Sequence, residues 1–177
     1  MSEKGFIHVY YGDGKGKTTA ALGLAVRAAG CGKNVAIIQF LKSWKCGEHD
    51  SIMLLTNISL VCAKPAFAKF IKDMNDEEIK ATKESQDECL KNAIDSVESG
   101  KCDVLILDEV IDAYNFDVLD KELLAGLIKN KPEPLELIIT GHKPETWFLD
   151  HSDYVTEMVK HKHPYDNGVK ARRGIEF

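Results

Sequence analysis

Six short apolar runs punctuate the chain: "FIHVYY" (6–11), "NVAIIQF" (34–40), "ISLVC" (58–62), "DVLILD" (103–108), "LELIIT" (135–140) and "DYVTEM" (153–158). Each has the length of a strand, and several are apolar at almost every position, which predicts strands buried on both faces. Between them the pattern turns helical at 17–29, along a long charged stretch near 75–99, at 119–130, and briefly from Pro144. Gly30 and Gly100 stand where the first and the long helix run out, and a left-handed residue there closes a helix. Buried strands joined by helical crossovers form a mainly parallel sheet with helices on each face. The expectation is one three-layer α/β domain over 1–177, with six strands and no internal repeat. The stretch from about 42 to 75 lacks a clear period and is expected to be irregular, holding a mobile loop.

The first strand runs into "YGDGKGKTTAALG". A strand followed by a Gly-rich loop and a helix is the setting of a phosphate-binding loop, where backbone N–H groups and the helix dipole face anionic oxygens. The common spacing GxxxxGK[ST] is not met: Gly12 leaves three residues before Gly16 instead of four. The remaining parts are present. Gly12, Gly14 and Gly16 let the chain curl, Lys17 brings a point charge, and Thr18 offers a hydroxyl to a metal ion. Asp13 would repel phosphate if it faced it, so its carboxylate is expected to turn away and accept backbone N–H groups within the turn. The fourth apolar run ends in Asp108 and Glu109, at the carboxyl edge of a parallel sheet where ligands bind. Asp108 is placed to share a magnesium ion with Thr18, and Glu109 to orient a water or a metal ligand. The fold expected on these grounds is that of the P-loop nucleotide-binding proteins.

Composition narrows the classes. With 177 residues, 44% of them hydrophobic, the chain buries enough core to need no metal or disulfide for stability. A net charge of −5 argues against a nucleic-acid groove. Cys31, Cys46, Cys62, Cys89 and Cys102 are odd in number and contain no CxxC pair, as expected of free thiols in a reducing cytoplasm. The start "MSEKGF" has no signal-peptide pattern, and no apolar run approaches the ~18 residues of a membrane span. A soluble cytoplasmic protein without membrane contact is expected. His142, His161 and His163 bring no third ligand at fixed spacing and predict no zinc centre. The run "KDMNDEEIKATKESQDE" reads as the wet face of a helix, with a repelling pair at Glu84 and Glu88.

The segments "GDGKGKTTAALGLAVRAAGCGKNVAIIQFLK", "LILDEVIDAYNFDVL", "LIITGHKPETWFLDHSDYVTEM" and "KHPYDNGVKARRGIEF", in that order, resemble the P-loop type ATP:corrinoid adenosyltransferases. The shortened loop is part of that family's pattern. The resemblance implies that the Co(I) of a reduced corrinoid attacks the 5′ carbon of ATP and that triphosphate leaves. Cobalt is itself the nucleophile, so the protein's task is to align the reactants and stabilise the leaving anion. The implied catalytic residues are Lys17, Asp108 and Glu109, with Thr18 and Asp108 serving Mg2+. Phosphates are held by Gly12, Asp13, Gly14, Lys15, Gly16, Lys17, Thr18 and Thr19. Arg27 matches an arginine of the family pattern and is a candidate nucleotide contact, although its helix position equally fits a surface arginine. Family members pack an aromatic against the lower face of the corrin. Here "AKPAFAKFIKDM" departs from the usual segment, leaving Phe67 and Phe70 as candidates, or as a core stripe on a helix. The cationic tail with Lys170, Arg172 and Arg173 is expected to fold over ATP. An electron-donating reductase such as a flavoprotein and a homodimer are also implied. A small P-loop kinase or ATPase, and a nucleotide-binding regulatory module, are the alternatives.

Overall fold

A computed structural model of the chain describes residues 3–42, 45–63 and 69–176. The six apolar runs are strands: β1 (Ile7–Tyr11), β2 (Val35–Gln39), β3 (Ile58–Cys62), β4 (Val104–Asp108), β5 (Glu136–Thr140) and β6 (Tyr154–Glu157). Helices α1 (Lys17–Gly30), α2 (Gly47–Ile52), α3 (Asp76–Glu98), α4 (Val110–Asn115), α5 (Lys121–Lys129) and α6 (Thr146–Asp150) connect them. The strands form one sheet in the order β3-β2-β4-β5-β1-β6. Every neighbouring pair is parallel.

Alternation along the strands divides the core in two. On one face Val35, Ile37, Val104, Ile106 and Ile138 pack against Ala21, Ala25, Ala28 and Ala29 of α1. Those alanines fall on one stripe of the helix and have no side chain long enough to hold it away from the sheet. On the other face Ala36, Ile38, Leu105, Leu107, Leu137 and Ile139 meet Leu90 and Ala93 of α3, Ile111 of α4, Leu124 and Ile128 of α5 and Phe148 of α6. Edge strand β6 is exposed along its whole length. Among the described residues no helix is long and apolar enough to cross a membrane.

Helix ends follow side-chain chemistry. Asn75 accepts from the Glu78 N–H at 2.9 Å while Glu78 accepts from the Asn75 N–H at 3.0 Å, a reciprocal cap that starts α3. Gly100 closes that end of the chain with a left-handed φ of 67°, as expected. For α1 the expectation is corrected: Gly30 is the last helical residue, and the left-handed residue is Gly32 at φ 79°. The stretch from 42 to 75 is also less irregular than its pattern suggests, since it contains α2, β3 and a 3-10 turn at Ile71–Asp73. The carboxyl ends of β1, β2, β4 and β5 open on the same edge of the sheet, and there the site residues gather.

Candidate active site

The loop between β1 and α1 is clamped from outside. Gly12 N–H donates to the His142 carbonyl at 3.0 Å and Gly14 N–H to the Met158 carbonyl at 2.6 Å. A Cβ on either glycine would stand 2.5 Å from the Met158 oxygen, so both positions must lack one. Gly12 and Gly16 also take left-handed φ values of 111° and 113°. The expectation that every loop N–H from Gly12 onward faces phosphate is thereby corrected: those of Gly12 and Gly14 are spent on the chain after β5 and after β6. Lys17, Thr18 and Thr19 open α1, where N–H groups have no carbonyl a turn back within the helix. Asp13 does turn away, but its Oδ1 accepts from the distant Lys160 N–H at 3.0 Å rather than only from its own turn. That bond holds its carboxyl below the ordinary value.

Lys17 crosses the loop and donates to the carbonyls of Gly12 at 2.7 Å and Gly14 at 2.9 Å. Burial holds its ammonium below the ordinary value, while Asp112, Glu109, Asp13 and Asp108 pull it back up. Asp108 is fully buried at the end of β4. Its Oδ1 accepts from Thr18 Oγ1 at 2.9 Å and Thr140 Oγ1 at 2.8 Å. Its Oδ2 accepts from Gln39 Nε2 at 3.1 Å and lies 4.0 Å from Lys42 Nζ. Thr18 and Asp108, separated by 90 residues, therefore meet as the sequence predicts. They do so across β5, whose last residue Thr140 joins them.

Glu109 has φ 62°, a left-handed conformation unusual for a side-chain-bearing residue, and its N–H is anchored on Thr140 Oγ1 at 2.9 Å. Burial first, and Asp108 second, push its carboxyl up to about 7. Asp112 on α4 accepts from both the backbone N–H of His142 at 3.1 Å and its Nδ1 at 3.0 Å. The bond to Asp112 raises the His142 pKa. Lys17, His142 and the carboxylates of Asp108, Glu109 and Asp112 thus gather at the loop mouth.

Other expected residues lie apart. Lys15 and Thr19 are exposed on the rim of the loop. Arg27 is exposed in the last turn of α1, roughly 15 Å along the helix from Lys17 at ~1.5 Å per residue. The helix axis carries it away from the loop. Phe70 is 76% exposed beside the Ile71–Asp73 turn, with Lys72 Nζ 5.7 Å from its ring centroid, and belongs to no core stripe. Phe67 lies outside the described residues. In the tail Lys170 is exposed, and Arg172 forms a two-pronged pair with Glu176, at 3.0 and 3.2 Å. Lys15 is among the charges that hold Glu176 low, which puts the tail within electrostatic reach of the loop.

Gln39, Lys42, Asp112, Thr140 and the carbonyl of Met158 escape the sequence reading. A signal existed for two of them: Gln39 and Thr140 are polar residues ending otherwise apolar runs at the ligand edge of the sheet.

The solved structure of a KaiC-like protein from Pyrococcus horikoshii OT3 shares this fold, with a TM-score of 0.53 over 90% of this chain and 75% of that one, at 13% identity. Sequence relatives are nearer. The corrinoid adenosyltransferase of Escherichia coli is 32% identical over 178 residues, covering 100% of this chain and 88% of its own. The corrinoid adenosyltransferase CobA of Salmonella typhimurium is 34% identical over 181 residues, with the same coverage. Residues 3–177 match the family described as ATP:corrinoid adenosyltransferase BtuR/CobO/CobP. With a match that runs from the first strand through to the tail, the chain belongs to the ATP:corrinoid adenosyltransferase family.

Proposed function

We propose that the protein transfers the 5′-deoxyadenosyl group of ATP to the Co(I) of a reduced corrinoid. The observation that carries this reading is the full-length family match joined to a loop built to hold phosphates: Lys17, the start of α1 and the buried Asp108 cluster converge on one mouth. The cobalt electron pair attacks the 5′ carbon, the bond from that carbon to the α-phosphate oxygen breaks, and the bonding pair leaves with triphosphate. Lys17 and the first N–H groups of α1 are preorganised opposite the charge that develops on the leaving group. His142, held by Asp112, adds a group that becomes a cation on protonation at the same mouth.

Thr18 and Asp108 fit a magnesium ion. Both are hard oxygen donors, and their oxygens lie 2.9 Å apart, close enough to bind one ion together. When bound there, Mg2+ would neutralise phosphate charge. Gln39 and Thr140 keep the Asp108 carboxylate in that orientation, and Glu109, near neutrality in its titration, stands beside it as a proton-bearing or anionic neighbour. Phe70, exposed on the segment that follows β3, and Phe67 are the proposed contacts of the corrin. A single domain, a homodimer, a flavoprotein-type electron donor and a cytoplasmic location complete the reading.

The test is the identity of the inorganic product. With ATP, Mg2+ and chemically reduced cobalamin, a light-sensitive adenosyl–cobalt species and intact triphosphate should form in equal amounts, and ATP should persist when corrinoid is left out. Steady ADP release in corrinoid-free buffer, at a rate comparable to the complete reaction, would assign the loop to an ordinary phosphotransferase.

A further inference from the structure

Beyond the loop between β1 and α1, the connection from β2 to β3 carries a second group of ligand-type side chains. Cys46 precedes α2, and Glu48 and His49 lie in its first turn. One ligand atom from each, the Cys46 Sγ, a Glu48 carboxylate oxygen and a His49 ring nitrogen, fall within 4.8 Å of one another. Cys46 is buried, and Glu48 and His49 are half-buried.

Gln39 fixes the state of the imidazole. Its Nε2 donates to the Asp108 carboxylate, so the other end of the amide is the oxygen, and that oxygen lies 2.8 Å from His49 Nε2. An amide oxygen only accepts, so His49 carries its hydrogen on Nε2 and keeps the lone pair on Nδ1. Metal-binding histidines are held in this way, with the remote N–H on a carbonyl or carboxylate oxygen. Lys42 Nζ takes only Oε1 of Glu48, at 2.8 Å. Lys42 and Cys46 also interact electrostatically. Cys62 donates to Gln39 Oε1 at 3.4 Å, and its Sγ lies 3.9 Å from His49 Nε2.

We propose that Cys46, Glu48 and His49 form a binding site for a zinc-class divalent cation, with three protein ligands and a fourth position open to solvent. A thiolate, an imidazole and a carboxylate suit zinc and exclude magnesium as the preferred ion. Zinc bonds of about 2.3 Å to sulfur and about 2.0 Å to nitrogen put tetrahedral donors roughly 3.5 Å apart, so the three atoms need close in by no more than about 1.3 Å. The site is chemically distinct from the oxygen-only pair of Thr18 and Asp108, and Gln39 separates the two.

The test uses the full chain, reduced and stripped of metal, titrated with Zn2+ by calorimetry and with Co2+ by absorption. One ion per chain should bind, and Co2+ should show a thiolate charge-transfer band with the visible bands of a four-coordinate ion. Losing an outer partner of a metal ligand already costs roughly 10- to 100-fold in affinity, so Cys46→Ser and His49→Gln should each cost at least that. Cys31→Ser, at an exposed cysteine, and the double variant His161→Gln with His163→Gln should leave zinc affinity unchanged. Equal affinity in wild type and Cys46→Ser, or loss confined to the His161 and His163 variant, overturns the site. If Cys46→Ser does not fold, the wild-type Co2+ spectrum decides, and absence of a thiolate band overturns it. Neither ATP nor corrinoid enters the titration, so its outcome is separate from that of the adenosyl-transfer reading.

Discussion

Gly14 shows how one missing atom shapes the loop. A Cβ there would stand 2.5 Å from the Met158 oxygen and 2.7 Å from its carbon, both backbone atoms with nowhere to move. Gly14→Ala should therefore cost about 1–3 kcal/mol of stability, the range for forcing an atom into packed space, and raise the KM for ATP. Gly23→Ala is the control, because its added Cβ meets nothing within 4 Å and the site is inside α1; it should stabilise by roughly 0.5–1 kcal/mol. Equal melting temperatures for the two variants would refute the clamp. Lys17→Ala should fold normally and turn over on the order of 10²- to 10³-fold more slowly, as expected when one charge-stabilising group is lost; a near wild-type rate would remove Lys17 from the leaving-group site. His142 gives a pH test. Its folded pKa lies above the unfolded value because of Asp112, so the pair's stabilisation is complete below that unfolded value, near 6.5, and fades as pH rises through the folded pKa. Wild type should exceed His142→Ala in stability at pH 5.5–6 by at most about 1 kcal/mol, because the imidazole is 54% exposed and solvent screens it, and the gap should shrink toward pH 8. A gap that widens with pH would reverse the assignment. Thr18 and Asp108 were legible because each sits in a local pattern; that Gln39 and Thr140 bond to Asp108 follows from strand register, and Lys42 approaches it from the loop after β2, pairings that no local pattern encodes.

At the scale of elements, all six strands could be read because each is an apolar run bounded by polar or turn residues. Helices α2 and α4 could not. The first, "GEHDSI", buries Ile52 alone and is too short to show a helical period. The second begins directly after Glu109, whose left-handed backbone turns strand into helix without a loop or a side-chain cap to announce it. The tail was legible as a cationic segment, but the Arg172–Glu176 pair that folds it on itself appears only in three dimensions. Because Lys15 is among the charges that hold Glu176 low, Lys170 and Arg172 are proposed to exchange a protein carboxylate for phosphate when ATP binds. Removing residues 169–177, all of them exposed where described, should raise the KM for ATP several-fold while moving the melting temperature little. Steady-state kinetics and a melting curve on the same preparation check this, and an unchanged KM would return the tail to the status of a solvated end.

For the molecule as a whole, the two hydrophobic clusters lie on opposite faces of one sheet, and β2, β4 and β5 supply alternate residues to both. Neither cluster survives the loss of those central strands, so the chain should unfold in one cooperative step, with far-UV and near-UV signals coincident. The proposed nucleotide site is assembled from the same strands: Gln39 ends β2, Asp108 ends β4, Thr140 ends β5, and the loop follows β1. Ligand bound there stabilises the whole fold rather than one lobe of it. At a hundred times its dissociation constant a ligand adds about 2.7 kcal/mol, and a domain of this size gains roughly 2–4 °C per kcal/mol, so ATP with Mg2+ should raise the single midpoint by about 5–11 °C. Lys17→Ala, measured at the same ATP concentration, should lose most of that shift while its ligand-free midpoint stays close to wild type. Two separate transitions would break the chain into independent units, and an undiminished shift in the Lys17 variant would place ATP somewhere other than the loop between β1 and α1.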